Sequence, residues 1–231
     1  EFISATQFEA LKQACPDLNF ILNTELVETV RNIKDEIELA TLQKAIDISA
    51  QSFKEILPLI EPGVSERAIG AKLDYLFKMN GGDGPSFETI VASGYRGSWA
   101  HGVASDKKIQ KGELIVIDFG SFYHGYTADI TRTVALGHVE PELEKIYYIV
   151  LEAQKRGIAA AIAGNTGKDI DQAGRNYIRE QGYGEYFGHG IGHGIGLEVH
   201  ELCTPAMPYS KEVMKNNMAI TVEPGIYLPD R

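Results

Sequence analysis

The sequence predicts a mixed α/β fold, and three observations carry that prediction. Long amphipathic segments with apolar residues at helical spacing alternate with short β-branched runs. Gly and Pro breaks punctuate the boundaries between them. A faint internal echo sets Gly63-Val64-Ser65 through Ala71, Tyr75 and Leu76 against Asn165-Thr166-Gly167 through Ala173, Tyr177 and Ile178, at an offset of 102 residues. A duplicated α/β half accounts for the echo, and so does chance similarity between two amphipathic helices.

In order, residues 1–30 mix short apolar runs with Pro16 and Asn23, and read as a helix followed by a short strand at residues 18–22. In residues 34–60, Ile37, Leu42, Ile46, Ile48, Phe53, Ile56 and Leu57 mark a long amphipathic helix that Glu61-Pro62-Gly63 stops. Ser65 is an N-cap for a second helix through Met79, ended by Gly81-Gly82. Residues 87–93 read as a strand and 94–101 as a loop. Leu114-Ile115-Val116-Ile117-Asp118-Phe119 is a buried strand that ends in a charge. A His124-Gly125 turn leads into a second strand at residues 126–135. Helices at 142–162 and 169–181 follow, then a glycine-rich run, then a last strand at 218–227 that carries Glu223.

A chain of 231 residues buries a real core, and 44% hydrophobic with 23% charged residues is ordinary for a soluble globular protein. A net charge of -10 argues against nucleic acid or an anionic membrane as partner. No apolar run approaches a membrane span, and the N-terminus lacks the basic flank and apolar core of a signal peptide. Cys15 and Cys203 are far apart and match no metal or redox spacing, which suits a reduced, cytoplasmic protein. The chain starts at Glu1 without a methionine and ends at Arg231 in mid-phrase, so it is expected to be a piece of something longer.

The densest chemistry lies in residues 187–201, which hold three of the six histidines and five glycines. Glycine lets the backbone approach a ligand, and neutral imidazole is the commonest metal ligand and a usual general acid or base. Five glycines make a poor helix, so an irregular strand or loop is expected, in which His189 and His193 point the same way. If His124-Gly125 forms a two-residue hairpin loop, Asp118 faces Thr131 and Asp129 faces Gly120. The two aspartates are then diagonal neighbours on one sheet face, roughly 7–8 Å apart. Two carboxylates at one half-buried spot repel unless a proton or cation sits between them. The competing reading is a pair of solvated strand-end acids. Glu223, closing Ala219-Ile220-Thr221-Val222, also needs a partner. Such carboxylates with one imidazole suit manganese, cobalt or zinc. His124 and His138 read as solvated, Tyr183 and Tyr186 as packing, and Trp99 either as a wall of the cleft or as core.

Four motifs in order complete the pattern: Ile117-Asp118-Phe119-Gly120; Ala128-Asp129-Ile130-Thr131-Arg132-Thr133; His189 to Leu197 with His200-Glu201; and Thr221-Val222-Glu223-Pro224-Gly225. They are joined by Arg31-Asn32-Ile33-Lys34-Asp35-Glu36 and by Ala92-Ser93-Gly94 leading to His101-Gly102. Together they resemble the pita-bread metallopeptidases (methionine aminopeptidase, prolidase and creatinase), and most of all the Xaa-Pro branch of prolidase and aminopeptidase P. The resemblance implies a pseudo-two-fold, curved antiparallel sheet covered by helices. It implies residues 1–26 as the tail of an N-terminal domain and 27–231 as a catalytic domain lacking its C-terminal strand or strands.

By the same resemblance, Asp118, Asp129, His193 and Glu223 match ligands of two divalent metals, manganese first and cobalt or zinc after it. His101, His189 and His200 match histidines that contact substrate or steady the tetrahedral intermediate. The family's fifth ligand, a later glutamate, has no counterpart before Arg231. The activity implied is cleavage before proline by metal-activated hydroxide, with Glu223 accepting the proton, in a homodimer acting on Xaa-Pro peptides. The alternatives are a methionine aminopeptidase-like enzyme and an inactive pita-bread module that binds peptides or proteins.

Overall fold

The computed structural model describes residues 3–21, 23, 25–201, 210 and 212–229. Helix α1 (Ala5–Ala14) opens with a capping box between Ser4 and Gln7, and none of its residues is buried. The strand expected at 18–22 is not found: residues 18–21 have no regular structure, and Leu22 lies outside the described residues, as does Cys203. Leu18 and Ile21 face solvent, and among the described residues no strand pairs with 18–21. A short unforeseen helix, α2 (Leu26–Asn32), follows. The Asn23 side chain starts it by accepting from the Glu25 and Leu26 amides at 2.8 and 2.9 Å.

Helix α3 (Glu36–Ile56) begins at Asp35, whose carboxylate accepts from the Ile37 and Glu38 amides. It buries Leu42, Ala45, Ile48 and Ile56, whereas Ile37, expected on the apolar face, is exposed in the first turn. Ser65 caps α4 (Glu66–Met79) as the sequence predicts. Then come β1 (Gly84–Pro85), β2 (Ile90–Ser93), a 3-10 turn at Gly94–Ser98, β3 (Leu114–Phe119) and β4 (Ser121–Tyr123). Strands β5 (Tyr126–Thr127) and β6 (Ile130–Ala135) precede α5 (Pro141–Ala160) and α6 (Gly167–Glu180). The segment expected as a final strand, 218–227, forms no regular strand among the described residues, only an isolated bridge from Ile220 to Gly194.

The strands make two antiparallel three-stranded sheets, in the orders β1-β4-β5 and β2-β3-β6. The predicted hairpin register holds: Tyr123 pairs with Tyr126, and Asp118 pairs with Thr131. The turn residues His124 and Gly125 have φ of 47° and 91°, the positive pair that a two-residue hairpin turn demands. The strand expected across 126–135 is broken at Ala128-Asp129, and its two pieces join different sheets. Gly120 shows why. A Cβ there would lie 1.7 Å from the Ala128 carbonyl oxygen, so the chains approach too closely for any side chain. Gly120→Ala is therefore expected to lower stability by at least about 1–3 kcal/mol, read as a shift of the urea midpoint. An unchanged midpoint would show that the crossing can open.

The echo in the sequence is a structural repeat. Gly63 N–H donates to Ile109 O and Ile109 N–H to Val64 O, both at 2.9 Å. Gly164 N–H donates to Met214 O and Met214 N–H to Asn165 O, at 3.0 and 2.8 Å. Ser65 bridges Lys108 as Thr166 bridges Val213, and both residues are helix N-caps. The offset between caps is 101, one less than the side-chain pattern suggests. Each half has its own core. One joins Ile56, Leu73, Phe77, Ile117 and Phe119, and the other joins Ile149, Ala153, Ile170, Ile178 and Ile191.

Candidate metal centre

Asp129 sits in the break between β5 and β6, His193 in the glycine-rich loop, and Glu223 in the last described segment. The His193 Nε2 is 3.3 Å from Asp129 Oδ2 and 3.0 Å from Glu223 Oε1. One ligand atom from each of the three lies within 4.8 Å of the others. The His193 Nδ1 is 3.0 Å from the Gly194 carbonyl, and a proton there leaves Nε2 turned to the acids. Burial works against the charged imidazole, but the hydrogen bonds it donates to Asp129 and Glu223 overcome that and raise its pKa to about 10. Burial raises Glu223, yet His193 and the Thr221 hydroxyl hold it below its ordinary value.

Thr221 ties this group together. Its hydroxyl donates to Glu223 Oε1 at 2.8 Å and accepts from the His193 amide at 2.9 Å. Backbone bonds run from Thr221 N–H to His193 O (2.8 Å) and from Glu223 N–H to Ile191 O (2.7 Å). A Cβ at Gly192 would lie 2.0 Å from Thr221 O, so glycine is what lets the two segments meet.

Asp118 completes the acids. Burial, then repulsion from Asp129, raises its pKa to about 8, with Glu223 adding to the effect. Its Oδ1 is buried and has no hydrogen-bond donor. An unpartnered carboxylate oxygen facing further carboxylates calls for a proton or a cation. Three carboxylates and one imidazole are the donor set of a divalent hard or borderline metal, so these residues fit such an ion. The solvated-acid reading fails at Asp118.

The three remaining predicted histidines surround this cluster, and none belongs to the ligand group. His189 is fixed by Tyr227 OH at 2.9 Å from Nε2 and by Gly190 O at 2.7 Å from Nδ1. Burial, then Glu223 and Asp118, raise the Tyr227 phenol to about 12, so it stays protonated. The His200 ring centroid is 4.2 Å from that of His193, and burial followed by His193 pushes its pKa down. His101 is exposed and close enough for its charge to act on His200. Trp99 is 53% exposed, which removes the core reading. His124 and His138 are exposed as expected.

Residue patterns alone missed several supports. Glu201 is buried with Lys34 Nζ at 2.7 Å and Arg31 Nη2 at 3.1 Å, and its Oε1 accepts from the Leu197 amide at 3.1 Å. That ion pair anchors the end of the histidine loop to α2 through Arg31 and to the link before α3 through Lys34. Glu66, fully buried in the first turn of α4, pairs with Arg96 and accepts from Ser93 and Ser105. Arg96 in turn donates to Val103 O at 2.7 Å, which brackets the loop carrying Trp99 and His101. Tyr227 and Thr221 carried no spacing signal. Their roles depend on which backbone segments lie side by side.

Fold and site together define a candidate carboxylate-imidazole metal site built across a repeated α/β frame, and known proteins share the fold. A family model, that of metallopeptidase family M24, matches residues 40–231, and the chain belongs to this family. The Xaa-Pro dipeptidase of Pyrococcus horikoshii is 45% identical over 221 residues, which are 96% of this chain and 63% of that protein. The crystal structure of the prolidase from Pyrococcus horikoshii superposes with a TM-score of 0.96 at 43% identity, covering 100% of this chain and 66% of that one. The X-Pro aminopeptidase from Thermotoga maritima gives 0.93 at 44%, covering 99% and 65%. The chain thus spans just under two thirds of the length of these relatives. Its fold is the pita-bread fold of the prolidases.

Proposed function

We propose that the protein is a divalent-metal-dependent peptidase that hydrolyses the bond before proline. The observation that carries this reading is the Asp129, His193 and Glu223 group with the unpartnered Asp118 Oδ1 beside it. Asp118, Asp129, His193 and Glu223 would hold divalent metals, two ions by the family resemblance, whose Lewis acidity would bring the pKa of water towards neutrality. Glu223, oriented by Thr221, accepts the proton of the attacking water. His200 and His101, on the exposed side of the cluster, donate hydrogen bonds to the developing oxyanion and the leaving nitrogen. His189 is held by Tyr227 on the substrate side. An X-Pro bond is a tertiary amide without an N–H, so recognition has to rest on such donors to the carbonyl.

Relatives named for Xaa-Pro cleavage support this branch over a methionine aminopeptidase. The presence of all four ligand residues weighs against an inactive binding module. The reading extends to manganese as the resident metal, to a cytoplasmic homodimer, and to residues 1–26 belonging with a preceding domain. That α1 buries none of its residues supports the last point.

The test is hydrolysis of Ala-Pro and of a longer Xaa-Pro peptide by the full-length protein, with manganese and with chelator. Cleavage of at least one, lost on chelation and restored by manganese, is the expected result. Preference for an N-terminal Met peptide, or activity indifferent to chelator, overturns the proposal.

A further inference from the structure

Asp171 is buried near the start of α6, one turn before Arg175, and the mechanism above uses neither residue. The two form a bidentate pair, Nε to Oδ2 at 2.6 Å and Nη2 to Oδ1 at 2.8 Å. The guanidinium spends its remaining donors on backbone: Nη1 reaches Phe187 O at 2.9 Å, and Nη2 reaches His189 O at 2.5 Å. The carboxylate accepts from the Ile191 amide at 3.0 Å. The Arg175 guanidinium also lies over the Phe187 ring, its carbon 4.1 Å from the centroid.

Residues 187, 189 and 191 are alternate positions of one irregular segment that belongs to no strand. Their polar backbone groups, which a neighbouring strand would ordinarily satisfy, are satisfied here by one ion pair. The other side of the same segment meets the metal ligands. Ile191 O accepts from Glu223 N–H, and two residues on, His193 O accepts from Thr221 N–H. Helix α6 approaches so closely that a Cβ on Gly174 would lie 2.6 Å from Ile191 Cδ1.

We infer that Asp171 and Arg175 form a positioning clamp, standing in for a strand, which sets where His189, His193 and Glu223 lie relative to one another. The inference rests on the metal-site reading proposed above, but not on the substrate. Arginine is required because a planar fork serves a carboxylate and two carbonyls at once, whereas an ammonium is a single point.

The experiment uses the full-length protein and its Arg175→Lys, Arg175→Met and Asp171→Asn variants, with Arg67→Lys, in an exposed ion pair, as control. Manganese titration gives affinity, and the visible spectrum of the cobalt-loaded protein reports ligand geometry. Arg175→Lys is expected to weaken manganese binding about tenfold and to change the cobalt spectrum, while circular dichroism stays that of the wild type. Arg175→Met and Asp171→Asn are expected to do more, and Arg67→Lys nothing. If Arg175→Met does not fold, Arg175→Lys and Asp171→Asn decide. Wild-type affinity and an unchanged cobalt spectrum in folded Arg175→Lys and Asp171→Asn overturn the clamp. A wild-type protein that binds manganese but leaves Xaa-Pro peptides intact overturns the functional proposal alone, because the clamp is judged on affinity and spectrum.

Discussion

His193→Ala is expected to reduce metal-dependent Xaa-Pro cleavage at least about 100-fold in kcat/KM, since loss of a partner that merely orients a ligand costs 10–100-fold. His193 is the one neutral-capable donor among acids, with its Nε2 within 3.3 Å of both Asp129 and Glu223. Without it, three carboxylates face one another and the imidazole that the Gly194 carbonyl orients through Nδ1 is lost. Metal content measured by elemental analysis should fall together with activity. Retained activity at full metal content would remove His193 from the site. Asp129→Ala should behave alike, because that carboxylate meets the same imidazole and also raises Asp118.

The metal-free protein should lose stability as pH rises, and metal should abolish that loss. Asp118 titrates near 8 in the folded chain, against an ordinary 3.8, and His193 near 10 against 6.5. Both are raised, so between each pair of values the folded state keeps a proton that the unfolded chain has released. Their contributions are complete below the unfolded values and vanish as pH climbs through the folded ones. The two windows overlap from about 6.5 to 8, where stability should fall by up to about 1.4 kcal/mol per pH unit for each proton retained. Glu223 is shifted downward, so its contribution is lost only as pH falls into the acid range and offsets nothing here. A bound cation replaces these protons, which flattens the dependence and makes metal uptake release protons. Urea midpoints from pH 6 to 9, with chelator and with manganese, measure this. A flat profile in chelator would show that the acids share no proton.

Much of this site is legible in the sequence because its spacing is local. A two-residue turn at His124-Gly125 fixes the pairing of Asp118 with Thr131, and no tertiary information is needed. Helices α3 to α6 are readable from caps and apolar spacing, since Ser65 and Thr166 hold their first turns through local bonds. The misses have one physical origin. Whether residues 218–227 form a strand, and where residues 126–135 break, depends on which distant chain lies alongside. The collision of Gly120 with Ala128 O is a contact of that kind. Apolar residues such as Leu18 and Ile21 look like a strand in isolation, yet they are exposed, and among the described residues no strand lies alongside them. Thr221, Tyr227, Asp171 and Arg175 have unremarkable spacing, and their importance lies in backbone groups that sequence patterns do not label.

Asp118 and Asp129 belong to the first half, with its own core, and His193 and Glu223 to the second. In the proposed site each half would offer only part of a coordination shell, so affinity for metal would exist only once the two are seated against each other. Metal uptake and interdomain-like assembly are then a single linked equilibrium. Withdrawal of a cation from that proposed site would weaken the joint between the halves while leaving each half's own interior intact.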